Sequence, residues 1–326
     1  MSANLHPTAL PTLAIDNLSV RFGESAAVRD VSLRVEPGES VGVVGESGSG
    51  KTQVFMSAMG LLPPNARVQG SVRFEGTELL GVAPAVLNRV RGSKLTMIFQ
   101  DPMTSLTPHL RIGIQLAEVL VTHSGSSWAD AERVALAMLE RVRIPEAKRR
   151  LRQYPHELSG GMRQRVMIAM SLLCEPSLVI ADEPTTALDV TVQAQILDTL
   201  RIMRAELGMG IVLISHDMGV VAGLADRIVV MYAGRIVEQG PTAEMLRRPE
   251  HPYTAALLRC VPALSGPRLE RMPSLPGQAP DPRRADQGCA FAPRCAHAAE
   301  RCRVEMPQLR ALSRRHEAAC HFPLSA

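Results

Sequence analysis

The chain has 326 residues, 46% of them apolar and only 3% aromatic, with a formal net charge of +4. That length holds roughly one to two domains, whose core must be built from Leu, Val, Ile, Ala and Met rather than from rings. The mild charge, without a long basic run, excludes a strong nucleic-acid binder, and no stretch of about 18 apolar residues is available to span a bilayer. The nearest basic cluster, Lys148-Arg149-Arg150-Leu151-Arg152, reads as a solvated helix end. Met1 to Thr12 lack the basic start and apolar run of a signal peptide, so the protein is expected to stay in the cytoplasm. Disulfides are rare there, and the six cysteines need another explanation.

In chain order, residues 13 to 44 alternate as strands: Leu13-Ala14-Ile15, Leu18 to Phe22, and Val31 to Val35. After a turn at Glu36 to Glu39, Ser40-Val41-Gly42-Val43-Val44 is a short apolar run suited to a buried strand. A helix is predicted over residues 53 to 62, and an antiparallel piece at Gly70 to Phe74. From about 109 to 173 the spacing is helical, clearest in Ile114–Leu120 and Val134–Val142. Apolar strands follow at Leu178 to Ala181, Ile211 to Ile214 and Arg227 to Met231. Strands alternating with helices imply a parallel α/β core with an antiparallel patch near its start. After Val261, prolines at 262, 267, 273, 276, 280 and 282 are too dense for helix or central strand. The expected organisation is a main domain over 13–260, with helices over about 105–173, a proline-rich linker over 261–288 and a small module over 289–326. That module carries four of the six cysteines; Cys174 and Cys260 read as buried core residues.

Gly45-Glu46-Ser47-Gly48-Ser49-Gly50-Lys51-Thr52 fits the phosphate-binding pattern G-x-x-x-x-G-K-[ST]. Its glycines let successive backbone N–H groups converge on one anion, and the following helix presents its positive end to the same phosphates. Lys51 is expected to reach the β- and γ-phosphates of ATP, and Thr52 to ligate Mg²⁺. Far downstream, Leu178-Val179-Ile180-Ala181 ends in Asp182-Glu183. A strand buried on both faces tolerates carboxylates only at its tip. There Asp182 is placed to hold Mg²⁺ and Glu183 to polarise an attacking water.

Between these halves lies Leu158-Ser159-Gly160-Gly161-Met162-Arg163-Gln164-Arg165, which closely resembles the signature motif of ABC ATPases. Gln100, in Phe99-Gln100-Asp101-Pro102, resembles the Q-loop glutamine of that family. Ala187-Leu188-Asp189 resembles its D-loop, His216 in Ile214-Ser215-His216-Asp217 its switch histidine, and Phe22 its adenine-stacking aromatic. The resemblance covers residues 13 to about 245. It implies a P-loop ABC ATPase fold: a mixed sheet with an antiparallel β subdomain, a helical subdomain and the small Cys-rich module. It also implies two ATPase subunits, identical or sister, meeting head to tail. Each ATP would then lie between one P-loop, with Gly45, Ser47, Gly48, Ser49, Gly50, Lys51 and Thr52, and the other subunit's Ser159-Gly160-Gly161. Gln100 would sense the metal, and Glu183 and His216 mark a catalytically competent copy.

Gln100 to Pro108, His251-Pro252-Tyr253-Thr254 and Leu275-Pro276-Gly277 resemble the dipeptide, oligopeptide and nickel importer branch, many members of which carry Asn where this chain has Thr107. The implied role is to power import of di- or oligopeptides from the cytoplasmic face of the inner membrane. The implied partners are two transmembrane permease subunits and an extracytoplasmic substrate-binding protein, with no nucleic acid. Nickel, opine, glutathione or sugar cargo fits the same branch, and a soluble, non-transport ABC ATPase is the rival outside it. Cys289, Cys295, Cys302 and Cys320, with gaps of five, six and seventeen residues, suit either a four-cysteine Zn²⁺ site or an iron–sulfur cluster. Their pattern resembles that of peptide-importer ATPases carrying a 4Fe–4S cluster. His297, His316 and His321 are close enough in sequence to act as substitute ligands.

Overall fold

The computed structural model describes residues 10–186, 188–260, 287–313 and 315–324, with positions 275, 277, 278, 280, 281 and 283. It divides into two compact units. One comprises Leu13–Arg34, Ser40–Arg73 and Leu213–Ala326; the other comprises Met1–Thr12, Val35–Glu39 and Phe74–Val212. The predicted linker over 261–288 falls mostly outside the described residues, as does Ala187 of the D-loop stretch.

The chain opens with β1 (Leu13–Phe22), β2 (Ser25–Val35), β3 (Ser40–Val44), α1 (Lys51–Ala58), β4 (Ala66–Phe74) and β5 (Thr77–Glu78). Next come α2 (Pro84–Val90), β6 (Leu95–Ile98), α3 (Pro102–Ser105), α4 (Ile112–Ser124), α5 (Trp128–Arg141) and α6 (Ala147–Arg150). They are followed by α7 (Gly160–Leu172), β7 (Leu178–Asp182), α8 (Val190–Leu207) and β8 (Gly210–Ser215). The remaining elements are α9 (Met218–Ala222), β9 (Arg227–Tyr232), β10 (Arg235–Pro241), α10 (Thr242–Arg247) and α11 (Pro252–Arg259). The tail adds α12 (Glu300–Val304), β11 (Arg310–Ala311) and β12 (Glu317–Ala318).

In the unit that holds α1, β3 runs parallel to β9, with Val41 opposite Arg227 and Val44 opposite Val230. All five residues of β3 are buried, as befits a strand covered on both faces. β10 returns antiparallel to β9, with a register shift between Ile236 and Glu238. β12 pairs antiparallel with β10, Glu238 opposite Ala318, and β11 pairs with β12. The sheet is thus mixed, and the tail covers an edge that would otherwise expose unpaired backbone groups. Glu238 is buried and accepts backbone N–H bonds from Glu250 and His251 at 2.7 and 3.0 Å. The His316 Nε2 atom lies 2.7 Å from its Oε1. A separate ribbon, β2-β1-β4 in hydrogen-bonded order, belongs to the same unit.

In the other unit, β6 and β7 run parallel, Leu95 opposite Leu178 and Ile98 opposite Ala181. Helices α4, α5 and α7 pack on one another. α5 starts at Ser127, whose side chain accepts from the Asp130 N–H, and buries Ala131, Ala135, Met138 and Leu139, the stripe expected of a one-sided helix. The buried Arg165 guanidinium donates to Val142 O, Thr199 Oγ1 and Gln195 Oε1 at 2.8, 3.3 and 2.9 Å, tying α7 to α8.

The structure corrects several expectations. The helix expected over 53–62 runs from Lys51 to Ala58, because Gly60 turns the chain left-handed at φ 61°. The helical region 109–173 comprises α4, α5, α6 and α7, with a 3₁₀ turn at Pro155–Glu157. Ile114 is exposed, and α4 buries Ile112, Leu116, Ala117 and Leu120 instead. Cys174 and Cys260 are half-buried rather than core residues.

Candidate active site

The phosphate loop hangs between β3 and α1. Gly50 caps α1 at φ 95°, a conformation that costs little only for glycine, and a Cβ there would meet the Ala27 carbonyl at 2.3 Å. At Gly45 a Cβ would lie 2.2 Å from the Met231 carbonyl. These positions leave a cradle that side chains would fill. Lys51 is buried, and its Nζ donates to Gly45 O and Glu46 O at 2.7 and 3.0 Å. The Ser49 hydroxyl is buried without a hydrogen-bond partner, an arrangement that a phosphate oxygen would satisfy. Ser47, Gly48 and Ser49 line a cleft with Ala27, Tyr232 and Asp281. Thr52 is half-buried at the first turn of α1. Phe22 ends β1, half-buried and outside the wall of this cleft.

Glu46, which the motif leaves unspecified, is the loop's single acid. Its N–H donates to the Tyr253 hydroxyl at 2.9 Å. Its carboxylate receives both prongs of Arg294, at 2.7 and 2.9 Å. Hydrogen bonding to Glu46 pushes the Arg294 pKa up, so the guanidinium stays charged. Sequence reading missed this pair, since no local pattern links Glu46 to Arg294 across 248 positions.

The acidic strand tip lies in the other unit. Asp182 closes β7 with 6% exposure. Glu183 follows at φ 46°, a left-handed conformation that stores strain for a non-glycine residue. Its Oε2 accepts from Gln100 Nε2 at 3.2 Å and from Thr186 Oγ1 at 2.8 Å. Gln100 and Glu183, 83 positions apart, are thus brought within hydrogen-bond distance. In the same unit Ser159 caps α7, its hydroxyl accepting from the Met162 N–H at 3.3 Å. Gly160 is exposed and Gly161 half-exposed on the first turn. That free helix end presents N–H groups and positive dipole to any anion above it. Asp189 caps α8, accepting from Val192 N–H at 2.9 Å. His216 stands exposed just beyond β8, beside Asp217, which caps α9.

Thr52, Asp182 and Gln100 offer a hydroxyl, a carboxylate and an amide oxygen. Each is an oxygen donor of the kind Mg²⁺ takes.

The four module cysteines, scattered in sequence, line one cavity with His251, His297 and His321. All six cysteines of the chain are free of disulfides. Burial pushes the thiols of Cys289 and Cys295 up, and pushes Cys320 up to about 11, with the neighbouring thiols adding to the rise. That mutual effect at Cys289, Cys295 and Cys320 is one a bound cation would relieve. Among the described residues no three His, Cys, Asp or Glu side chains stand close enough to hold a single ion. His316 is instead engaged with Glu238, and His321 Nε2 lies 2.9 Å from Glu305 O. His251 is buried and accepts the Tyr253 N–H at 3.0 Å on Nδ1; burial lowers its pKa to about 4, so it is neutral at pH 7.

Comparison with known proteins agrees with this layout. The ABC transporter family matches residues 28–186, and the family described as oligopeptide/dipeptide transporter, C-terminal region, matches residues 237–302. The chain is 49% identical over 316 residues to the oligopeptide transport ATP-binding protein OppD of Salmonella typhimurium, covering 96% of this chain and 94% of that one. Its Escherichia coli K12 counterpart is 49% identical over 299 residues, covering 90% and 88%. The dimeric structure of MJ0796, a bacterial ABC transporter cassette, matches with a TM-score of 0.63 at 27% identity, covering 71% of this chain and 98% of that one. Among the described residues no helix is long and apolar enough to cross a membrane. The chain belongs to the ATP-binding, ATP-hydrolysing subunits of ABC transporters, in the oligopeptide/dipeptide family.

Proposed function

We propose that this subunit powers the import of di- or oligopeptides, working peripherally at the inner face of the membrane with two permease subunits and an extracytoplasmic binding protein. The observation that carries the reading is the succession along one chain of a full set of ATPase motifs and, at residues 237–302, the oligopeptide/dipeptide C-terminal region. The phosphate loop binds the triphosphate through its backbone N–H groups, Lys51 and the N-terminus of α1. The family resemblance assigns Thr52, Asp182 and Gln100 to Mg²⁺, which would neutralise phosphate charge when bound. Glu183, oriented by Gln100 and Thr186, takes the proton of the attacking water. His216 and Phe22 contact the γ-phosphate and the adenine.

The exposed start of α7 at Ser159-Gly160-Gly161 acts on the nucleotide of a second ATPase subunit, as the dimeric relative suggests, so an isolated subunit is a poor enzyme. Cys289, Cys295, Cys302 and Cys320 hold a 4Fe–4S cluster in preference to zinc. Zinc–sulfur bonds of about 2.3 Å in a tetrahedron demand thiolates within roughly 4 Å of one another, whereas four thiolates spread around a cavity suit the corners of a larger cluster. The bound group would cross-link the tail.

The test is co-purification of the tagged chain with its membrane partners, followed by peptide uptake in vesicles. Peptide-stimulated ATP turnover supports the reading, and stimulation only by a metal ion or another solute class overturns it. Anaerobic purification should give brown protein absorbing near about 400 nm with about four irons per chain; colourless, zinc-loaded protein would replace the cluster with zinc.

A further inference from the structure

An acid inside a phosphate-binding loop is an electrostatic liability. Glu46 is the second residue of Gly45–Thr52, and it lines the same cleft as Ser47, Gly48 and Ser49. An unpaired carboxylate there would repel a triphosphate, whose binding depends on concentrated positive potential. The chain answers with a residue from far away. Arg294 ends a 3₁₀ turn, Ala292–Arg294, immediately before Cys295. Its guanidinium grips both carboxylate oxygens of Glu46, the two-pronged geometry that makes arginine–carboxylate pairs strong and directional.

The pair is sheltered rather than superficial, with the Arg294 side chain 5% exposed and that of Glu46 27% exposed. Arg294 also lies 5.9 Å above the Tyr232 ring and donates to its hydroxyl at 3.3 Å. Tyr232, Tyr253 and Phe291 pack together, with centroids 4.6 to 5.4 Å apart. Tyr253 in turn accepts from the Glu46 backbone, and Phe291 forms part of the cysteine-cavity wall. A contiguous set of contacts therefore joins that wall to the second residue of the phosphate loop.

We infer that Arg294 is a positioning residue for nucleotide binding: it neutralises Glu46, fixes the backbone of the phosphate loop and makes that loop's geometry depend on the folded cysteine module. The inference rests on the nucleotide reading of the loop and is independent of what fills the cysteine cavity. Arg294 acts through Glu46, so the two side chains must be coupled. Replacing Arg294 leaves a carboxylate unpaired beside the phosphates. Removing that carboxylate's charge as well should undo the harm.

The experiment is a double-mutant cycle on the full-length chain, purified anaerobically, with Arg294→Ala, Glu46→Gln and the combination. Mg–ADP affinity is read by titration calorimetry, and KM for ATP and kcat are read in the assembled transporter. Arg294→Ala should weaken Mg–ADP binding and raise KM roughly ten- to a hundredfold, the scale of hydrogen bonds to a charged group, with a smaller change in kcat. Adding Glu46→Gln should recover most of that loss, and the Arg294→Ala defect should shrink as salt rises. Arg294→Lys, which keeps the charge but loses the fork, should fall between and serves as the variant if Arg294→Ala does not fold.

A metal content at the cysteines equal to that of the unmodified protein establishes that the module is intact in each variant. Unchanged affinity in Arg294→Ala overturns the inference, as does a double variant no better than Arg294→Ala alone. Failure of the unmodified chain to bind Mg–ADP would instead overturn the nucleotide reading itself.

Discussion

Replacing Glu183 by Gln separates chemistry from architecture in this site. Two hydrogen bonds to the side chain, from Gln100 Nε2 at 3.2 Å and Thr186 Oγ1 at 2.8 Å, end on the same oxygen, Oε2. A glutamine that places its carbonyl oxygen there keeps both bonds and inherits the same backbone strain at φ 46°. The other oxygen becomes an amide NH₂, which cannot take a proton from water. A positioned general base contributes about 10²- to 10⁴-fold, or about 3 to 5 kcal/mol on the barrier. Turnover by the assembled transporter should fall by that range, while Mg–ATP affinity and thermal midpoint stay put and ATP-bound dimer accumulates. Phosphate release in single-turnover mixing, paired with size exclusion in ATP, measures both arms. Turnover within about tenfold of the unmodified protein would refute the role given to Glu183.

Lys51→Ala should abolish measurable Mg–ATP binding by calorimetry, because it deletes the cation held by the Gly45 and Glu46 carbonyls. Under the proposed cluster, Cys320→Ser should strip the bound iron and lower the thermal midpoint, since Cys320 is the proposed ligand that reaches the shared cavity from the far end of the tail; metal analysis and calorimetric scanning check it. His251, with its pKa lowered to about 4, binds a proton in the unfolded chain near pH 6.5 but not in the folded one. Its contribution is therefore complete above pH 6.5 and lost as pH falls toward 4, on the order of 3 kcal/mol. Denaturant titrations across that window should show the slope, and His251→Asn, which still accepts the Tyr253 N–H, should flatten it.

Much of the site was legible because its chemistry is local. The phosphate loop needs glycines at fixed places, and the strand before it and the strand before Asp182 are unbroken apolar runs, so both halves announce themselves within ten residues. Ser159 doubles as a helix cap, a role its hydroxyl signals directly. What stayed hidden is long-range. β6 is only four residues, Leu95–Ile98, too short for a periodicity. β12 is two residues whose strand character comes from β10, and Glu238 and His316 meet across 78 positions. No local pattern told that Glu46 needed a partner, because the loop motif tolerates any residue there. The convergence of four cysteines on one cavity was a matter of count and spacing in the sequence, and became a matter of shape only in the fold.

The Arg294–Glu46 pair also has a consequence in time. The two residues are 248 positions apart, and a ribosome adding about 5–20 residues per second needs roughly 12 to 50 s to travel between them. For that interval the nascent chain carries a phosphate loop whose acid is unpaired. On the proposal above, the loop's geometry is completed only once the tail has been made and folded back. A chain released early, before residue 294, keeps every ATPase motif yet lacks the clamp. By the proposed coupling, full nucleotide affinity is acquired only after residue 294 has been made.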